Sequence, residues 1–482
     1  MIVLRMKKLT GGMRGASMAF STALLLAGCT TQFDTRLTSG TVRETGLPPL
    51  AAQWRQSHAS SVPSNLTLEW WSSFGSPELV GLLETAQRDS FDLAAAMARV
   101  RQAQAAASIA GSSLLPSVDA SVGVTRAARS GGGSANTVDT MRYQAGLTAS
   151  YELDFWGRNV ALRDSAGALL RAAQFERDTV RLTLTAAVAS AWMQTIGLRE
   201  RLAIAGLSVV SARRILTVFE ARARAGAANP LELAQQRALL AAQLRAHALL
   251  DQQTQDSLTT LALLLGRNPS LPVQVSAVLT LLQPPEIGAG VPAELITRRP
   301  DLARVEAQLA GASADIVAAR AAMLPRLTLS AGLAVGGNRL GQIVDNPLYS
   351  LAAGLAAPIF NSGRLAARHD LALAQREELL ANYRRAIVAA FGDVETALNA
   401  VGGLDAQHGA QQDELEQARR ALKLAESRYR AGAESSLTLL DAQHRFYTAQ
   451  DESAQLHTLR LQAAVNLYKA LGGEWQIGQQ KS

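Results

Sequence analysis

The sequence predicts an α+β membrane chain built twice over, in which long coiled-coil helices carry paired strands of membrane-spanning length. Three observations lead there: a self-match at an offset of 206 to 209 residues, two stretches of apolar/polar alternation in each half, and two 68-residue helical runs.

The first element is a leader. Arg5, Lys7, Lys8 and Arg14 precede an apolar run from Ala16 to Ala27, too short to span a bilayer as a helix. It closes on Leu26-Ala27-Gly28-Cys29, a small residue before a cysteine, the pattern at which bacterial lipoproteins are cleaved and acylated. Residues 1–28 read as a signal peptide, Cys29 as the site of a covalent lipid, and 29–65 as a lipid-anchored linker. A signal peptide with an incidental cysteine is the plainer alternative. Thr30 rather than Asp follows, so the retention signal that keeps many lipoproteins in the inner membrane is absent. Cys29 is the only cysteine, which excludes an internal disulfide or a CxxC metal site.

The repeat comes next. At offset 209, Asp92-Leu93 recurs as Asp301-Leu302 and Leu115-Pro116 as Leu324-Pro325. At offset 206, Gly157-Arg158 recurs as Gly363-Arg364, and Arg224-Ala225-Gly226-Ala227 as Arg430-Ala431-Gly432-Ala433. Two equivalent halves, 66–275 and 276–475 with a tail at 476–482, are the simplest account.

Each half repeats one order of elements. A helix over Phe91–Ser113 stops near Leu115-Pro116, because proline cannot continue it. Then Val118, Ala120, Val122 and Val124 alternate with Ser117, Asp119, Ser121 and Thr125, as in a strand with one apolar face. After a Gly/Ser/Asn-rich loop at 130–137, a return strand puts Met141, Tyr143, Ala145, Leu147, Ala149, Tyr151 and Leu153 on one face. The second half repeats the pattern at 326–359, with Tyr349 on the apolar face of its return strand. Tyr143 and Tyr151 lie eight residues apart. That is roughly 26 Å at ~3.3 Å per residue, close to the separation of two aromatic girdles at the membrane interfaces. Two soluble hairpins on a core fit the alternation as well. If the strands do span a membrane, four cannot close a barrel and an open edge is not tolerated in lipid, so several chains must share one.

The runs from Arg158 to Gly226 and from Arg364 to Gly432 would each reach ~100 Å as continuous helices. Leu169, Ala173, Val180, Leu184, Ala187 and Ala191 keep the spacing of a coiled-coil seam, while Gly197 and Gly402-Gly403 are weak points that leave open whether each helix is continuous or interrupted midway. Gly226 and Gly432 stop the helices. Asn229-Pro230, and Ser435 or Ser436, start the returning ones, giving tight tips at 226–230 and 432–436.

Composition narrows function. The net charge of +7 falls to +3 without residues 1–28, which removes most support for a nucleic-acid partner. Beyond the leader no run of eighteen apolar residues remains, which argues against transmembrane helices. There is no GxxxxGK[ST] loop, the six histidines lack metal-ligand spacing, and no acid/base or nucleophile set appears, so neither an enzyme nor a cofactor is expected. Met97, Met141, Met193 and Met323 are scattered and give no support to a copper relay.

In this order the motifs resemble the TolC-like outer-membrane factors, most closely the lipid-anchored branch serving multidrug efflux pumps. The resemblance rests on Trp70-Trp71 with Phe74, Asp92-Leu93 with Arg99, and Arg299-Pro300-Asp301-Leu302. It also rests on Leu153 with Trp156-Gly157-Arg158, Leu439-Leu440-Asp441-Ala442-Gln443, and Ala470-Leu471-Gly472-Gly473 with Trp475. Ser90-Phe91 stands where the family often has Asn-Pro. The resemblance implies a homotrimer whose twelve strands form one shared transmembrane barrel above a periplasmic helical tunnel. It implies drug export with a periplasmic adaptor and an inner-membrane efflux pump as partners, with outer-membrane lipid around the barrel. It also implies adaptor-contacting tips at Arg224, Gly226, Arg430 and Gly432, and a periplasmic gate at Leu437 and Asp441. Thr438 replaces a further acidic position of some relatives. Tyr143, Tyr151 and Tyr349 are the expected membrane-interface aromatics.

Plainer roles exist for these residues. Leu437 fits helix-packing core, Asp441 a solvated helix face, and Arg224 and Arg430 charges favoured at helix C-termini by the dipole. Among whole-chain alternatives, a conduit for protein secretion uses the same frame. A non-conducting scaffold lipoprotein explains Cys29 and the helices but neither the hairpins nor the repeat.

Overall fold

The computed structural model describes residues 53–55, 70–129, 138–226, 229–271, 273–288, 290–345 and 347–475. A 3-10 turn at Trp70–Phe74 leads into α1 (Pro77–Asp89) and α2 (Phe91–Ser112), then strands β1 (Ser117–Arg129) and β2 (Val138–Leu153). Two long elements follow, α3 (Arg158–Arg224) and its returning partner α4 (Pro230–Leu264). After a short α5 (Leu295–Arg298), the same series recurs as α6 (Pro300–Ala321), β3 (Arg326–Gly337), β4 (Leu348–Ala356), α7 (Arg364–Arg430) and α8 (Ser436–Ala470). The duplication is visible in the lengths: α3 and α7 both have 67 residues, α4 and α8 both 35, α2 and α6 both 22.

The sheet is antiparallel in the order β1-β2-β3-β4, so β2 and β3 join the two halves and β1 and β4 are its edges. Its register keeps apolar residues on one face in every strand. Val118, Ala149, Ala331 and Leu351 form one cross-strand row, and Ala120, Leu147, Leu333 and Tyr349 the next. The opposite face carries Ser117, Ser150 and Ser330 in one row and Asp119, Thr148 and Ser350 in another. The apolar face is open to the surroundings, with Val122, Leu147, Leu333 and Leu351 all exposed. Ala357 and Ile359, expected as the end of the last strand, lie beyond β4, which stops before Pro358, a residue with no N–H to donate to a ladder.

Both long helices run without a break, through Gly197 in α3 and through Gly402-Gly403 in α7, which decides the question of continuity those glycines raised. At 1.5 Å per residue each is ~100 Å long. One seam expectation also shifts. Leu169 is 49% exposed, and the buried line in upper α3 is Ala161, Ser165, Ala168 and Ala172. Small residues win that position because α6 approaches closely there: a Cβ on Gly311 would lie 3.6 Å from Ala168 Cβ and 3.5 Å from the Ser165 carbonyl.

By length and composition alone, a window in each of α3 and α7 could cross a membrane, with mean hydropathy of 1.6 and 1.2. In α3, however, Leu184, Val188, Trp192, Met193 and Ile196 form the main core, packed with Trp70, Phe74, Leu79, Leu261, Val465 and Tyr468. This core packs against the middle of α3 and the last turns of α4 and α8. Trp70 lies flat on Tyr468, ring centroids 4.1 Å apart at 12°, which fixes the chain's entry against the end of α8. Glu78 receives Trp192 Nε1 at 2.8 Å and the Ser276 N–H at 2.8 Å. Burial pushes that carboxyl up, but the Ser276 and Trp192 hydrogen bonds outweigh it and hold it below the usual range. Arg299 is a second tie, forked onto Asp301 at 2.8 and 3.0 Å while also reaching Asp393 at 3.0 Å and the Ala470 carbonyl at 3.2 Å. The Arg-Pro-Asp-Leu motif thereby joins the start of α6 to α7 and to the end of α8.

Candidate gate and membrane face

At the far end of the long helices the chain turns twice. Gly226 and Gly432 both take left-handed φ values, +69° and +71°, which a side chain would resist. Gly432 and Ala433 donate back to the Tyr429 and Arg428 carbonyls at 3.0 and 2.9 Å, closing the α7 end. Asn229 starts α4, its side chain accepting the Leu231 N–H at 2.9 Å, while Glu232 Oε2 accepts the Asn229 N–H at 3.3 Å. Ser435 Oγ accepts the Thr438 N–H at 3.2 Å and starts α8.

The two tips are joined to each other. The Ser436 hydroxyl donates to Glu232 Oε1 at 2.7 Å, so one carboxylate caps α4 and holds the first residue of α8. Behind it Phe219 stacks on Tyr429 at 5.3 Å, and the Arg222 guanidinium sits 4.9 Å over the Tyr429 ring. The Asn-x-x-Glu spacing was readable as a cap. Its bond to Ser436 was not, because it requires two tips 204 residues apart to meet.

Leu437 and Asp441 lie one turn apart on an exposed edge of α8. Leu437 is 65% exposed and does not belong to the chain's own core. Asp441 accepts Arg445 Nε at 2.8 Å, so its charge is partly met on the same helix. Arg224 and Arg430 stand exposed beside the tip glycines, Arg224 reaching the Glu220 carbonyl at 3.3 Å and Arg430 paired with Glu426 at 2.9 Å. On the sheet, Tyr143 pairs with Val124 and Gly337, and Tyr151 with Leu329. Tyr349 occupies the row of Leu147, midway between them, and is 82% exposed. Cys29 lies outside the described residues. Among the described residues no cluster of His, Cys, Asp and Glu could hold a metal ion.

The chain thus joins a doubled α-helical hairpin to a sheet with one exposed apolar face. The outer membrane efflux protein model matches residues 82–267 and 291–473. The chain belongs to the outer membrane efflux protein family. It is 49% identical over 440 residues to the pyoverdine export outer membrane protein OpmQ of Pseudomonas aeruginosa, covering 89% of this chain and 92% of that one. The counterpart in Pseudomonas putida matches at 49% over 442 residues, 89% of this chain and 93% of that one. A solved open state of the Neisseria gonorrhoeae MtrE outer membrane channel superposes with a TM-score of 0.81 at 26% identity, covering 89% of this chain and 98% of that one. This chain is therefore an outer-membrane efflux channel subunit, a conduit and not an enzyme.

Proposed function

We propose that three copies of this chain complete one twelve-stranded barrel above a single helical tunnel, and that the trimer passively conducts a small exported molecule of the pyoverdine kind. The unpaired β1 and β4 edges carry the first half of this reading: four strands cannot enclose a lumen, and lipid does not tolerate an open edge. The 49% identity to two pyoverdine exporters carries the second half and favours that cargo over drugs. Arg224, Gly226, Arg430 and Gly432 would meet a periplasmic adaptor, which in turn engages an inner-membrane pump. Asp441 and Leu437 of three copies would narrow the closed end, the leucines resisting wetting and the carboxylates favouring cations. A lipid on Cys29 would hold each chain to the membrane.

The cargo reading is tested by removing the protein from a bacterium that produces a pyoverdine. Accumulation of the compound in the periplasm, with export restored by the intact protein, is the expected result. Unchanged export with heightened drug sensitivity would move the cargo to drugs.

A further inference from the structure

The two hairpins of the sheet share more than an order of elements. The first pairs Ser117 with Ser150, and the second pairs Arg326 with Ala356. Ser117 precedes Arg326 by 209 residues, and Ser150 precedes Ala356 by 206. Those are the two offsets at which the sequence matches itself, 209 at the Leu-Pro strand entries and 206 at the Gly-Arg helix starts. The hairpins therefore coincide residue for residue, β1 with β3 and β2 with β4.

One pairing of the sheet has no counterpart within the chain. β2 meets β3 with Leu147 opposite Leu333 and Ala149 opposite Ala331. The matching seam would join β4 to a β1, but the chain's own β1 lies at the far edge. Carried over by the two offsets, the β2–β3 register sets Ala353 opposite Val124 of the partner subunit, and Leu355 opposite Val122 of the partner subunit. All four residues are exposed in the single chain. A slip of one residue would set each apolar side chain against a polar one, so only slips of two compete with this register.

The ends of the strands point the same way. β2 runs past the start of β1, and its Tyr151–Leu153 is held by β3 alone, opposite residues 329–327. β4 stops at Ala356, level with the start of β3, although Ala357 and Ile359 continue its apolar alternation. Tyr151–Leu153 corresponds to Ala357–Ile359 at offset 206, and residues 327–329 correspond to Val118–Ala120 at offset 209. Pro358 fits such an end, because its nitrogen can face the side where β3 has already ended.

We propose that β4 of one chain pairs with β1 of the next in this register, and that Ala357–Ile359 becomes strand only there, against Val118–Ala120 of the partner subunit. The proposal rests on the reading that three copies share one barrel, and adds which residues meet.

The test is oxidation with copper phenanthroline of paired cysteines in the full-length protein, in outer-membrane vesicles. Directly opposite residues hold their Cβ atoms ~5 Å apart, near the span of a disulfide, whereas positions two residues off lie ~7–8 Å away. β1 and β4 are opposite edges of one chain, so any bridge between them joins two chains. Ala353→Cys with Val124→Cys, and Leu355→Cys with Val122→Cys, should give covalent trimers. Their yield should exceed at least tenfold that of Ala353→Cys with either Val122→Cys or Arg126→Cys. Ile359→Cys with Val118→Cys should bridge as well as the opposed pairs, and Ala353→Cys alone should not bridge. Offset pairs that bridge best would overturn the register and leave the shared barrel standing. Opposed pairs that bridge while Ile359→Cys and Val118→Cys do not would overturn the strand extension. No bridge in any combination, in protein that reaches the membrane, would remove the shared-barrel reading and the register with it. For any variant that does not fold, electron cryo-microscopy of the unsubstituted protein in nanodiscs reads the same pairs.

Discussion

Gly197 of α3 lies directly against Thr458 of α8, so close that a Cβ on Gly197 would sit 2.8 Å from Thr458 Cγ2 and 3.0 Å from its Cβ. The glycine is a contact point between two long helices, and the helix passes through it unbroken. Gly197→Ala is expected to destabilise the protein by about 1–2 kcal/mol, overpacking outweighing the better helix propensity of alanine. Thr458→Ala should restore most of the loss in the double variant, as measured by thermal unfolding. Additive losses would show that the two residues do not meet.

Much of the fold was legible before the structure because its signals are periodic. Alternation placed the strands, the matching Arg and Gly positions placed the tips, and the repeat supplied the order. What escaped depends on partners distant in sequence. Leu169 looks like a seam residue by spacing, yet the seam runs one position earlier, where Ala168 lets α6 come close. Tyr349 looks like a girdle residue, yet β3–β4 register puts it level with Leu147. The bonds of Glu78 to Trp192, of Arg299 to the Ala470 carbonyl and of Glu232 to Ser436 exist only once the elements they join are brought together.

Glu78 should make the protein acid-sensitive at its middle. Its folded-state carboxyl is held below the ordinary range, so the stability it contributes is present above the unfolded value and lost as pH falls through the folded one. Glu78→Gln would set an amide NH2 or a single acceptor against Trp192 and Ser276, costing roughly 1–2 kcal/mol at neutral pH. Unfolding temperatures of the two proteins should converge on acidification. Parallel curves would show that Glu78 has no such role.

Arg299→Ala should cost about 3 kcal/mol, because Asp301 loses its forked partner and the Ala470 carbonyl its donor. Arg299→Lys should recover less than half, since a point charge cannot reproduce the fork. Chemical denaturation checks both, and equal stability of the Lys variant and the parent would contradict the fork's importance.

Asp441→Asn should shift the channel's reversal potential under a salt gradient towards anions if three copies of Asp441 line the closed end. The shift should be modest, because Arg445 already meets part of each charge. An unchanged potential would make Asp441 a solvated helix residue.

The central claim is that one chain supplies one third of a closed barrel. Native mass spectrometry of the protein released from membranes into detergent micelles counts the copies directly. Three chains per particle, stable when the detergent is stripped in the gas phase, is the predicted result. A single chain, or two, would leave β1 and β4 unpaired in lipid and would contradict the account.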